Sequence, residues 1–138
     1  MEESAAAFTV HGKVQGKQRP RFTRAGRCYT PKATADYEAA ISAAFRDQCG
    51  WFYAASEPVA VSVDVFRALP KSRPKSVAAE ADTARPDLDN VVKVVLDALN
   101  GLAYADDAQV VEIHATKHDR MRGAGEFVQV MIWRENDA

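Results

Sequence analysis

DNVVKVVLDALNG, residues 89–101, decides the fold. Its valines, Val91, Val92, Val94 and Val95, suit a buried strand, because β-branched side chains are stiff at χ1 and pack well on a pleated surface. The ends of the segment argue for a helix. Asp89 is a good N-cap, and Asn100-Gly101 is a good helix ending. At 100° per residue, Asp89, Asn90, Lys93, Asp97 and Asn100 fall within one arc of about 100°. Every other position from Val91 to Leu99 is apolar. The segment reads as a deeply buried helix with one narrow polar stripe, and such a stripe is either a site or a buried polar network.

Working outward, Ala7–Val14 alternates well enough for a strand. Residues 16–31 form a basic loop punctuated by Gly and Pro, with a hairpin around Ala25-Gly26. Lys32–Cys49 reads as a second helix, with Tyr37, Ile41 and Phe45 at four-residue spacing and Gly50 as its stop. Val59–Phe66 is the cleanest strand, alternating through Val59, Val61, Val63 and Val65. Leu69–Ala84 is a polar, proline-containing loop. Strands Val110–His118 and Glu126–Arg134 close the chain around a turn at residues 122–125. With no repeat and no linker, the expectation is one α+β domain over residues 1–138. It has a mixed, mostly antiparallel sheet of about four strands with two main helices packed on it.

The 138 residues suffice for a core without disulfides. Cys28 and Cys49 give no disulfide framework and no paired metal-ligand spacing, so both are expected to be reduced thiols. The start, MEESAAAFTV, lacks a basic region and an adequate apolar stretch, and no run approaches about 20 apolar residues. A cytoplasmic protein without a membrane role is expected. The net charge of −1 hides an uneven distribution. Lys13–Lys32 carries seven Lys or Arg and no acid, and Arg67–Lys75 carries four more, again with no acid. A phosphate backbone responds to such local charge rather than to the total. Lys17, Arg19, Arg21, Arg24 and Arg27 are the candidate phosphate contacts, with Lys71, Arg73 and Lys75 as a second set. Pro20 stiffens the loop between Arg19 and Arg21. The alternative is two solvated basic loops.

Between Arg85 and Val110 there are five aspartates, one lysine and no histidine or cysteine. Hard oxygen ligands with one cation nearby are what Mg²⁺ or Mn²⁺ chemistry on a phosphodiester requires. Asp87 and Asp89, two apart in an extended segment, project to the same side before the helix, and Lys93 lies one turn beyond Asp89. Asp106 and Asp107 follow the next loop and precede a strand. Three carboxylates converging there can hold one or two ions, with Lys93 orienting the nucleophile or offsetting transition-state charge. Each residue also has a plainer role: Asp89 as a cap, Lys93 as an intrahelical partner of Asp89 and Asp97, Asp97 as a structural hydrogen-bonding group, Asp106 and Asp107 as turn residues. His114 and His118, with no third nitrogen or sulfur ligand, make a poor zinc site and are expected at the surface or a sheet edge. There is no phosphate-binding glycine loop and no nucleophile elbow, and no organic cofactor is expected.

RPDLDNVVKVVLDALNG followed by YADDAQV closely resembles the signature of RusA-type Holliday junction resolvases, small endodeoxyribonucleases often associated with prophages. GKQRPRF, residues 16–22, resembles that family's basic N-terminal motif, and the resemblance spans roughly residues 12–111. It implies that Asp87, Asp89 and Asp107 bind the metal and that Lys93 is the catalytic lysine. It further implies a Mg²⁺-dependent homodimer that nicks opposed strands of a four-way DNA junction in recombination and repair, leaving 5′-phosphate and 3′-hydroxyl ends. Residues 71–84 depart from the pattern, which bears on cut-site preference. Two other readings use the same residues: a phosphohydrolase acting on nucleotides or unbranched nucleic acid, and a non-cutting DNA-binding protein.

Overall fold

The valine-rich segment is a helix. A computed structural model describes residues 5–135, so the acidic start of the chain, residues 1–4, lies outside the described residues. The elements run β1 (Ala5–His11), β2 (Arg21–Phe22), β3 (Cys28–Tyr29), α1 (Lys32–Gln48), β4 (Val59–Phe66), β5 (Ala79–Glu80), α2 (Leu88–Leu99), β6 (Val110–Lys117), β7 (Arg120–Met121) and β8 (Phe127–Arg134). The main sheet has the order β1-β8-β4-β6. β8 is antiparallel to β1 and β4, whereas β4 and β6 run parallel. This is the α+β domain expected, with a mixed sheet of four strands and both helices packed on it.

Strand alternation builds the core. Val59, Val61, Val63 and Val65 of β4 face inward beside Val128, Val130 and Ile132 of β8 and Ala6, Phe8 and Val10 of β1. Over them lie Tyr37, Ile41 and Phe45 of α1 and Val91, Val94, Val95, Ala98 and Leu99 of α2. Helix propensity disfavours a valine by at most about 0.7 kcal/mol. Burying its side chain returns roughly 1.5–3 kcal/mol, so the helical face wins.

Three boundaries differ from the sequence reading by more than one residue. The N-cap of α2 is Asp87 rather than Asp89. Asp87 is extended, and its carbonyl accepts from Asn90 and Val91 N–H at 3.1 and 3.2 Å, so Asp89 already lies in the first turn. β1 spans Ala5–His11 rather than Ala7–Val14, because Gly12, at φ +112°, turns the chain out of the sheet. The stretch 69–84 is not all loop: β5 pairs with β7. A two-residue strand has no periodicity for a sequence reading to find.

Gln109 ties the end of the α2–β6 connection to the loop before β4. Its Oε1 accepts from Ala105 and Asp106 N–H at 2.7 and 3.0 Å, and its Nε2 donates to the carbonyls of Ala54 and Glu57 at 2.7 and 3.0 Å. Asp106 closes a capping box with it, accepting from Ala108 N–H at 3.0 Å. Gln109→Leu strands several of these backbone groups. It is expected to cost about 2–4 kcal/mol, measured as a lower urea midpoint.

Candidate active site

The approach to α2 is held by a buried ionic clamp. Asp82, with a side chain 1% exposed, lies 3.5 Å from the Arg67 guanidinium and 3.7 Å from the Lys117 ammonium. Arg67 follows β4 and Lys117 ends β6, and because these strands are parallel both side chains emerge at the same end of the sheet. The same two groups also donate to successive carbonyls: Lys117 to Ala84 at 2.6 Å and Pro86 at 3.1 Å, Arg67 to Arg85 at 2.7 Å, while Arg67 Nε lies 3.5 Å from Glu126. Residues 84–86 make no ladder or helix bonds, so these two cations supply partners to carbonyls that have none within an element. Asp87 follows immediately. Its place in space is set by a network that the sequence reading did not contain, since hydrogen bonding across 15 to 33 residues leaves no local signal.

The basic N-terminal loop closes over the same region. Gly16 lies so near α2 that a Cβ there would sit 3.0 Å from the Cβ atoms of both Pro86 and Asn90. Lys17 N–H donates to the Asn90 carbonyl at 2.8 Å, and Glu126 accepts from Val14 N–H at 2.8 Å. The result is a cleft of about 480 Å³, with Lys13, Arg19, Arg67, Arg85, Asp87 and Asn90 among its lining residues.

The expected site residues fall into distinct groups. The side chains of Asp87, Asp89 and Lys93 have no hydrogen bond or ion pair among the described residues; Asp89 and Lys93 are exposed on the α2 stripe. Lys93 is therefore not spent on Asp89 or Asp97. Asp97 is paired with Lys17 at 3.0 Å, and the same ammonium meets Glu38 at 2.8 Å. Lys17 is thus committed to joining the loop, α1 and α2. Arg19 lines the cleft, while Arg21, Arg24 and Arg27 are exposed on the β2–β3 ribbon without an acidic partner. Lys71, Arg73 and Lys75 do not line the cleft, and Arg73 is paired with Glu80 at 3.0 Å. His114 is exposed beside Glu112, and His118 meets Asp64 at 2.8 Å and stacks on Phe66. Both histidines are engaged at the sheet.

Asp107 begins a single 3₁₀ turn, Asp107–Gln109, at the other end of the stripe. Its Oδ1 is buried without a hydrogen-bond partner. Burial holds its carboxyl above the usual aspartate range, and the nearby Asp97 and Asp106 carboxylates push the same way. The Tyr104 hydroxyl faces it and acts in the opposite direction, but that hydroxyl donates to the Leu96 carbonyl at 2.9 Å. An orphaned, hard, anionic oxygen has the donor chemistry of a divalent-cation ligand. The donors fit; the cage is not assembled. Among the described residues, no three Asp, Glu, His or Cys side chains gather closely enough to hold an ion. The expected convergence of Asp87, Asp89 and Asp107 is therefore not formed: Asp107 faces Asp97, eight residues and about 12 Å along α2 from Asp89.

Comparison with known proteins gives a concordant result. The family model for endodeoxyribonuclease RusA matches residues 11–132. The chain is 36% identical over 124 residues to the uncharacterized protein YqaN of Bacillus subtilis (strain 168), a match that covers 80% of this chain and 84% of that protein. Among the described residues, no helix is long and apolar enough to cross a membrane.

Two outcomes follow from this geometry. A carboxyl raised in the fold favours folding below the ordinary aspartate range and opposes it once ionised. Asp107→Asn is therefore expected to raise the melting temperature at neutral pH in EDTA, with the gain vanishing as pH falls below that range. Lys117→Met leaves Asp82 its Arg67 partner, so the domain should fold. The loss of two carbonyl contacts is expected to speed amide exchange at residues 87–90 while the β4 and β8 amides stay protected, and Lys117→Arg should restore much of that protection.

Proposed function

The chain belongs to the endodeoxyribonuclease RusA family, and from that premise we propose that it is a structure-selective, Mg²⁺-dependent endonuclease that resolves four-way DNA junctions by paired, symmetric nicks during recombination and repair. The observation that carries this reading is a contrast in charge pairing. In a domain where Lys17, Arg67, Arg73 and Lys117 are all spent on acids, Asp87, Asp89 and Lys93 are left free beside a cleft lined by cations. Free charge of both signs at one place suits a ligand carrying both a metal and a phosphate.

Asp87 and Asp89 at one end of the α2 stripe and Asp107 at the other would supply the carboxylates for one or two ions, with Mn²⁺ as a possible substitute for Mg²⁺. Mg²⁺ is ordinarily bound by one or two carboxylates together with substrate phosphate and water, so a preassembled protein cage is not required. When bound, the ion supplies Lewis-acid polarisation of a phosphoryl oxygen and a more acidic water. The chain's own part is positioning and charge. Lys13, Arg19 and Arg85 line the cleft and are suited to holding the strand backbone against it. Water adds to phosphorus, the bond to the 3′ oxygen breaks, and that oxygen leaves as a hydroxyl, giving 5′-phosphate and 3′-hydroxyl ends. The Lys93 ammonium, free of any acidic partner among the described residues, would offset the charge that grows on the phosphoryl oxygens. Two equivalent cuts call for two equivalent sites, which a two-fold homodimer supplies.

The test is cleavage of a synthetic four-way junction against a linear duplex of the same sequences, with Mg²⁺ and with EDTA. Paired nicks confined to the junction and abolished by EDTA are expected. Asp89→Asn and Lys93→Met should each cut at least about 100-fold more slowly while still binding the junction. Equal cutting of both substrates, or full-rate cutting by Asp89→Asn, would overturn the proposal.

A further inference from the structure

Residues 18–30 form an arm. All thirteen are exposed, and they lie between two fixed ends. At one end Lys17 N–H donates to the Asn90 carbonyl at 2.8 Å and Gln18 N–H to Thr34 Oγ1 at 3.1 Å; at the other, Pro31 is buried at the start of α1. The arm is a two-stranded ribbon, Arg21 opposite Tyr29 and Phe22 opposite Cys28. Its turn is tied by Thr23 N–H to the Arg27 carbonyl at 2.8 Å and by Gly26 N–H to the Thr23 carbonyl at 2.9 Å. Gly26 there has φ +83°, a conformation glycine adopts without strain.

Neither face of this ribbon rests on the core. Opposite residues share a face and successive residues alternate, so Phe22 lies on one face and Tyr29 on the other. Phe22 is 69% exposed and Tyr29 is 45% exposed. A bare two-stranded ribbon is marginal in water, and a large exposed ring on each face contributes nothing to the fold. Arg19, Arg21, Arg24 and Arg27 share the arm with the rings, and none has an acidic partner among the described residues. Flat apolar faces set among unpaired guanidiniums match one ligand chemistry: a polyanion that also offers flat apolar faces, which is nucleic acid with accessible bases.

We propose that Phe22 and Tyr29 are stacking platforms for unpaired bases, and that through them the arm senses the branch point while its arginines hold the flanking phosphates. The inference rests on the junction-cutting reading and deepens it. In a continuous duplex the base faces are already stacked and hidden, so phosphate contacts alone are available. At a branch point or in a single strand a base face is free, and the rings gain a partner. The reach is appropriate. Phe22 is five residues beyond the Lys17 anchor, at most about 17 Å of extended chain, or about five nucleotide steps along a strand. Bases held by the arm therefore lie close to the strand that enters the cleft.

The experiment is binding in EDTA, followed by anisotropy, of the full chain to a four-way junction, a linear duplex and an oligo-dT strand. Phe22→Ala is expected to weaken junction and oligo-dT binding by at least about fivefold, the lower bound for one base–aromatic stack, and to change duplex binding less than twofold. Phe22→Trp should restore the loss. Arg24→Ala with Arg27→Ala should instead weaken all three and reduce the salt dependence. Equal loss on duplex and junction, no loss on oligo-dT, or a change of oligomeric state in Phe22→Ala would overturn the proposal, the last by assigning the arm to a second copy of the chain. Cutting plays no part in this measurement. A protein that binds as expected yet fails to cleave would remove the nuclease reading and leave the stacking platforms standing.

Discussion

Helix α2 is buried on every side but one, and that restriction governs where charge in this domain can go. Val91, Val94, Val95, Ala98 and Leu99 are taken up by the sheet and α1, so Asp89, Lys93 and Asp97 are confined to a single stripe. The loop carrying Gly16 and Lys17 crosses the flank of that stripe, anchored by the Asn90 carbonyl and the Asp97 carboxylate. The 3₁₀ turn with Asp107 meets its C-terminal half through Tyr104 and Leu96. Rotating α2 by one position would bury Lys93 and expose a valine, and it would unseat both flanking segments together.

The cations divide by what they are bonded to. Arg67, Lys117 and Lys17 are mostly buried, paired with acids, and also bonded to backbone or to a second element. Breaking one side of such a pair leaves an uncompensated charge in a poorly solvated place, at a cost of several kcal/mol. Their role is to fix geometry. Arg21, Arg24, Arg27, Lys71, Lys75 and Lys93 are exposed and unpaired, contribute little to stability, and remain available to an incoming polyanion. A basic segment in sequence therefore mixes two functions, and only the pairing separates Lys17 from Arg19.

What the sequence revealed and concealed follows the range of the interactions. Patterns set by nearest neighbours along one element were legible: the alternation of β4, the 37–41–45 face of α1, and the polar stripe that made α2 a helix. The carboxylates and Lys93 were found because they sit in one short run. The capping residue was misplaced by two positions, since Asp87 and Asp89 are equivalent as side chains and Asp87 caps through its carbonyl alone. Asp82, Lys117 and Glu126 give no signal, because each acts on a partner far away in sequence. A short connection, residues 102–105, suggests that Asp87, Asp89 and Asp107 converge. That connection instead turns back on the C-terminal half of α2, held there by Gln109 and Tyr104.

The unpaired Asp107 oxygen shows why stability cannot have shaped this end of the helix. Tyr104 could have satisfied it, but its proton goes to the Leu96 carbonyl, which also accepts from Asn100 N–H at 3.0 Å. Lys17 could have moved to it, but is held between Asp97 and Glu38. Two neighbouring acids, Asp97 and Asp106, raise the cost of its charge further. Each of these choices favours another contact over Asp107, and each leaves it a stronger ligand for a cation from solution. The clamp around Asp82 does the converse at the other end of α2: with Glu126 on Arg67 at 3.5 Å, its two acids balance its two cations, and it fixes Asp87 without competing for what Asp87 would bind. One end of the stripe is held by a charge-balanced clamp and presents the unpaired Asp87 and Asp89, and the other carries the uncompensated Asp107. A phosphodiester lying along the stripe meets Lys93 between them.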